Sequence, residues 1–273
     1  MNAIDQVFER LRAECRKAFI PFLTAGDPDA DGTVRLAGAL AENGASLIEI
    51  GFPYSDPIAD GPVIQASYTR ALARGLKLDD VFACARRVAA LPEMKTRQIP
   101  LVGMTSYSLI HRRGPEAFLR QAAEAGFCGA IVPDLPFEES EALSALAAGR
   151  DFRLIQLVTP TTPRARAAVI ARRSTGFLYC VSVTGITGER DRLPAELLDQ
   201  LAWLRTQTQL PLCVGFGVSR PEHVRMLREA ADGVIVGSAI MRRLEQPRPL
   251  AAVVEEVAAL ARSLTEALQA PSA

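Results

Sequence analysis

A chain of 273 residues is long for one domain but ordinary for an α/β barrel, and with 49% hydrophobic residues it can bury one large core. Its 31 Lys and Arg balance its 31 Asp and Glu, so no overall field draws in nucleic acid or an anionic membrane, and any anionic ligand must be held locally. Five scattered cysteines (Cys15, Cys84, Cys128, Cys180, Cys213) without a CxxC pair argue against a disulfide framework or a zinc site. Together with the absence of an apolar signal core or a membrane-length run, they predict a reduced, cytoplasmic protein.

In chain order, Ile4, Val7, Phe8 and Leu11 share one helical face, which predicts an extra N-terminal helix covering the bottom of the fold. Short apolar runs follow: AFIPFLT (18–24), SLIEI (46–50), PLVGMTS (100–106), AIVPD (130–134), RLIQLVT (153–159), FLYCVSV (177–183), PLCVGFG (211–217) and GVIVGSA (233–239). Segments of helical periodicity lie between them, as in GPEAFLRQAAEAG and PEHVRMLREAA. Strands alternating with helices predict an α/β fold with parallel strands. Eight of them point to a single closed (β/α)8 barrel of the TIM type spanning 1–273, more than to an open doubly wound sheet.

Two stretches break the repeat. Residues 51–99 leave room for the loop GFPYSDPIADGP and two helices, near 63–74 and 78–90, so an extra helix follows strand two. TGITGERDRLP (184–194), after strand six, has the length and glycine content of a lid over the barrel mouth. The closing QAPSA is expected to fray.

Such barrels work at the C-terminal ends of their strands, and Thr24 to Asp27, Glu49, Asp134, Gly215 to Gly217, Gly237 and Ser238 all sit at predicted strand exits. If Glu49 points into the barrel, desolvation raises its pKa and makes it able to shuttle a proton near neutral pH. The plainer alternative is a Glu paired with an Arg or Lys on the barrel wall. Asp60, in a loop stiffened by Pro53, Pro57 and Pro62, can turn back over the same mouth, and two carboxylates on one cavity suit acid–base work. Taken singly, Asp56 and Asp60 are ordinary turn residues.

VGFGVSRPE after strand seven and IVGSAIM after strand eight supply glycine N–H groups that can approach a phosphate, where the alternative is tight turns alone. His111 and His223 show no metal-ligand spacing and read as solvated, so no metal site is expected. No serine-nucleophile motif, P-loop or dinucleotide-binding glycine unit occurs.

IEIGFPYSDPIADG is the stretch that carries a family resemblance. With FIPFLTAGDPD, VPDLPFEES, LVTPTTP, VSVTGITGER, VGFGVS and VGSAI at the other strand ends, the chain resembles the α subunits of tryptophan synthase almost end to end. The resemblance implies retro-aldol cleavage of indole-3-glycerol phosphate to indole and glyceraldehyde 3-phosphate, with no cofactor in this chain. It casts Glu49 as the group that protonates the indole ring carbon at the scissile bond, and Asp60 as the stabiliser of charge at the indole nitrogen. Phe22 and Tyr179 would line the indole slot, Thr187 in the lid would meet Asp60, and Gly188, Phe216, Gly217, Gly237 and Ser238 would hold the phosphate. The implied partner is a tryptophan synthase β subunit carrying pyridoxal phosphate in an α2β2 heterotetramer, with Asp56 and Pro136 of the PDLP loop near the contact.

One stretch departs from that family's pattern, which after strand three usually reads M-x-Y-x-N. Here MTSYSLI puts Ser106 and Ser108 at the tyrosine and asparagine positions, and strand alternation turns the displaced Tyr107 the other way. Three functions therefore stand open: an ordinary α subunit, a stand-alone lyase or related aldolase of another pathway, and a non-catalytic paralogue that binds a phosphorylated ligand.

Overall fold

In the computed structural model, residues 1–182, 195–215 and 217–269 are described. The elements run α1 (Ala3–Ala13), β1 (Ala18–Thr24), α2 (Ala30–Glu42), β2 (Ile48–Gly51), α3 (Pro62–Ala73), α4 (Leu78–Ala89), α5 (Pro92–Thr96), β3 (Leu101–Met104), α6 (Tyr107–Arg113), α7 (Pro115–Glu124) and β4 (Phe127–Ile131). They continue with α8 (Glu141–Ala148), β5 (Arg153–Val158), α9 (Arg164–Arg173), β6 (Leu178–Val181), α10 (Ala195–Arg205), β7 (Leu212–Gly215), α11 (Pro221–Leu227), β8 (Gly233–Val236), α12 (Ser238–Met241) and α13 (Leu250–Gln269). The strands pair in parallel in sequence order, and β8 closes on β1. This is the (β/α)8 barrel that the alternation predicts. Strands walled by helices outside and filled by side chains inside have no polar face, which is why β1 reads as an unbroken apolar run and is buried throughout.

Helix α1 buries Ile4, Val7, Phe8 and Leu11 and closes the N-terminal ends of the strands. Asn2 caps it by accepting the N–H of Ile4 at 2.9 Å, while its amide donates to the carbonyl of Cys128, at the foot of β4. Phe8 packs on Phe177, just below β6, with ring centroids 5.8 Å apart. No helix among the described residues is long and apolar enough to cross a membrane, and all five cysteines are free.

Several expected boundaries move. Strand four runs 127–131, not 130–134, because Phe127 anchors its start among Phe52, Phe82 and Phe118 and Pro133 ends its ladder. Strand three stops at Met104, so Ser106 and Tyr107 do not alternate across a sheet: Ser106 is the N-cap of α6 and Tyr107 its first residue. His223 is buried rather than solvated, and its Nδ1 accepts the N–H of Ser219 at 3.4 Å. Gln269, expected to fray, donates from its amide to the carbonyl of Lys17 at 2.7 Å and accepts the Lys17 N–H. Between strands two and three, α3 and α4 fill the two expected helical spans, with the short α5 in addition.

Candidate active site

Parallel register places Phe22 of β1 beside Glu49 of β2, and Glu49 beside Val102 of β3, so these side chains share a face of the barrel wall. Beyond β2 the chain is pinned twice. Phe52 is buried in the four-ring cluster, which fixes the root of the loop, and Pro62 at the first position of α3 fixes its exit. Between them the N–H of Asp60 donates to the carbonyl of Pro57 at 3.1 Å, and the amide of Gln65 donates to the carbonyl of Asp60 at 2.7 Å. The loop thereby folds back and turns Asp60 inward.

The result is a cavity of about 600 Å³, counting its open mouth, lined by Phe22, Glu49, Asp60, Tyr179, Gly217, Gly237 and Ser238. All seven were singled out from the sequence. Thr187, Gly188 and Phe216 lie outside the described residues. Sequence reading missed Ile64, Met104, Val218, Ser219, Ile235 and Ala239, which also line the cavity. Met104 could have been found from the alternation that turns Val102 inward. Ile64 could not, because its inward aim depends on where α3 docks.

Glu49 is 1% exposed, and its carboxylate makes no hydrogen bond or ion pair among the described residues, with Oε2 wholly enclosed. The alternative of a basic partner on the wall is therefore not what the barrel builds. Burial without a countercharge, reinforced by the nearby charge of Asp60, pushes its pKa up to about 8. Asp60, 7% exposed, rises to about 7, again chiefly by desolvation; Asp134 adds to the rise, and a hydrogen bond from the Tyr54 hydroxyl opposes it. Two carboxyls, both pushed towards neutrality by burial, thus face one cavity.

At the ends of β7 and β8, Gly217 has φ +81°, a conformation that favours glycine, and Gly237 leads into the first turn of α12. Ser219, whose hydroxyl is buried with no partner among the described residues, lies beside them. Asp27, after β1, is buried and held by two bonds from Arg70 of α3, at 2.6 and 3.1 Å, which fixes that helix against the mouth. Ser106 does not line the cavity. It donates to Asp134 Oδ2 at 2.6 Å, and the Tyr107 N–H donates to Oδ1 at 2.9 Å, so the departure from the family pattern clamps the loop after β4. Asp56 and Pro136 are exposed at the mouth but border different grooves, Asp56 with Ile58 and Asp134, and Pro136 with Phe137 and Arg166. Among the described residues no cluster of three or more His, Cys, Asp or Glu is placed to hold a metal ion.

The family profile described as Tryptophan synthase alpha chain matches residues 8–269. The chain belongs to the tryptophan synthase alpha chain family. A tryptophan synthase alpha chain of Rhodopirellula baltica is 50% identical over 99% of this chain and 100% of its own length, and one of Synechococcus elongatus is 49% identical over 98% and 97%. The solved tryptophan synthase subunit alpha of Legionella pneumophila superposes with a TM-score of 0.85 at 35% identity, covering 98% of each chain. The matches cover nearly the whole length, so the family resemblance is not confined to the motif around Glu49.

Proposed function

We propose that Glu49 and Asp60 are the acid–base pair of this tryptophan synthase alpha chain, in a single barrel domain that needs no cofactor of its own. The protein is a carbon–carbon lyase of tryptophan biosynthesis that cleaves indole-3-glycerol phosphate to indole and glyceraldehyde 3-phosphate. The observation that carries the residue roles is the enclosure of two neighbouring carboxylates in one apolar cavity that also reaches Gly217, Gly237 and Ser238.

Phe22 and Tyr179 offer an apolar slot to the indole ring, and the glycine N–H groups with Ser238 hold the phosphate. Glu49, protonated at neutral pH, gives its proton to the ring carbon at the scissile bond. Positive charge then falls on the ring nitrogen, where the Asp60 carboxylate stabilises it. As the carbon–carbon bond breaks, its electrons return to the ring, and the neighbouring hydroxyl loses its proton to the Glu49 carboxylate and becomes the aldehyde. One proton has been given and one recovered, so the pair is reset. Thr187, Gly188 and Phe216 complete this reading from the residues outside the described set.

The pair must hold one proton, on Glu49. Below about pH 7 Asp60 also becomes neutral, and above about pH 8 Glu49 loses its proton. The pH profile of kcat/KM is therefore expected to be bell-shaped with its maximum between those values, and a flat profile from pH 6 to 9 would remove the assignment.

The partner we infer is a β subunit carrying pyridoxal phosphate, in an α2β2 assembly in which exposed Asp56 and Pro136 lie near the contact. Incubating the protein with indole-3-glycerol phosphate, with and without a β subunit, while following both products tests this reading. Slow release that rises sharply on adding the β subunit is expected, and fast release unaffected by it would favour the stand-alone lyase. Asp56→Ala is expected to weaken that activation about 3- to 10-fold in a titration, as loss of one charged contact at an interface does, and an unchanged titration removes Asp56 from the contact.

A further inference from the structure

Asp60 must stay ionised and must point into the cavity, yet its surroundings oppose the charge. Among the described residues, the ionisable groups facing it are Glu49 from β2, Tyr68 from α3, Tyr179 from β6, Asp134 after β4 and Tyr54 from its own loop, and none of them is a base. Among the described residues only Tyr54 donates a hydrogen bond to the carboxylate, to Oδ2 at 3.4 Å, which is long for an O–H···O bond.

Tyr54 is itself held. Its ring packs on Tyr68 with centroids 5.6 Å apart and planes at 52°, and Tyr68 is buried on α3. Helix α3 is anchored in turn by the Arg70 to Asp27 pair. A support therefore runs from α3 through two packed rings to one oxygen of Asp60, and it reaches the carboxylate from the loop side while Glu49 approaches from the barrel wall.

We propose that Tyr54 is a positioning residue for the lyase reaction, its hydroxyl fixing the direction in which the Asp60 carboxylate faces the substrate. The inference rests on the role given above to Asp60. Because the donor favours the charged form, Tyr54 also sets the pH at which Asp60 becomes usable, and the nearby Asp134, held by Ser106, acts in the opposite sense. A tyrosine that only filled space would do neither.

Tyr54→Phe keeps the ring and its stacking and removes only the donor. Steady-state indole release by this variant, by Asp60→Asn and by the double variant is compared with wild type from pH 6 to 9, with thermal melting as the folding control. For Tyr54→Phe we expect kcat to fall about 5- to 10-fold at pH 7 with KM within twofold, and the acid limb of kcat/KM to move up by about one pH unit, as loss of a hydrogen bond to a charged group requires. In the Asp60→Asn background the same change should alter the rate less than about twofold, because the group it acts through is gone. A Tyr54→Phe profile superimposable on wild type, with Asp60→Asn crippled, overturns the proposal for Tyr54 alone. So does an equal loss at every pH or an undiminished effect in the Asp60→Asn background. A wild-type rate in Asp60→Asn overturns the role of Asp60 and this inference with it.

Discussion

Glu49→Gln is expected to lower indole release by about 10³-fold or more while making the protein more stable, the size of loss being that of a group that moves the proton in the rate-limiting step. Glutamine preserves the shape of the side chain and can sit in the same place, but it has no proton to give at the ring carbon. Binding of substrate should survive, since the groups proposed to hold the ring and the phosphate are untouched, so the loss belongs to kcat. The stability gain follows from linkage. Glu49 ionises near its ordinary value of 4.5 in the unfolded chain and at about 8 in the folded protein. Below pH 4.5 it is neutral in both states and costs nothing. As pH rises from 4.5 to 8 the unfolded chain is progressively favoured, by about 1.4 kcal/mol per pH unit and roughly 3 kcal/mol by pH 7, and above 8 the difference levels off. The Glu49→Gln variant lacks that slope. Melting temperatures measured at pH 5 and pH 8 should therefore diverge, with the variant ahead by more at pH 8. Equal melting curves across that range, or turnover near wild type, would show that Glu49 is not the isolated buried acid described above.

Gly215→Ala is expected to lower kcat/KM by about 10²-fold and to destabilise the barrel by about 1–3 kcal/mol, the usual penalty of overpacking. Gly215 is the last residue of β7, paired with Val181 of β6, and the ring of Tyr179 lies across the place where a side chain would start. A Cβ there would stand 2.5 Å from Cζ and 2.6 Å from Cε1 of Tyr179, and closer still to its hydroxyl. Barrel walls do not give way easily. The ring would swing into the cavity it now lines, narrowing the space beside Glu49 proposed for the indole ring, so substrate binding should suffer along with kcat. Steady-state kinetics and denaturant melts check both parts. A variant with wild-type KM would mean that Tyr179 has another place to go.

A contrast runs through these cases. Eight apolar runs alternating with helical segments pointed to a parallel sheet buried on both faces, and their number to a closed barrel more than to an open doubly wound sheet. The period of two set Glu49 apart from its neighbours Ile48 and Ile50 on the opposite face, and turn chemistry explained the proline frame around Asp60. These are local rules, and they hold wherever the chain is folded. The same rules failed where tertiary contacts outweighed them: Phe127, fixed among other rings, drew β4 back three residues, and Ser106 left the strand to cap α6 and bind Asp134. They also missed His223, whose burial depends on the loop it supports.

What only the tertiary structure decided is the electrical state of the cavity. The sequence offered two carboxylates that could face one mouth. That among the described residues no base reaches Glu49, that among them Tyr54 rather than an arginine meets Asp60, and that Gly215 is needed for the ring of Tyr179 depend on side chains from β2, α3, β6 and β7, distant in the chain and meeting only when the barrel closes. Desolvation is a property of everything around a group, and no motif records it.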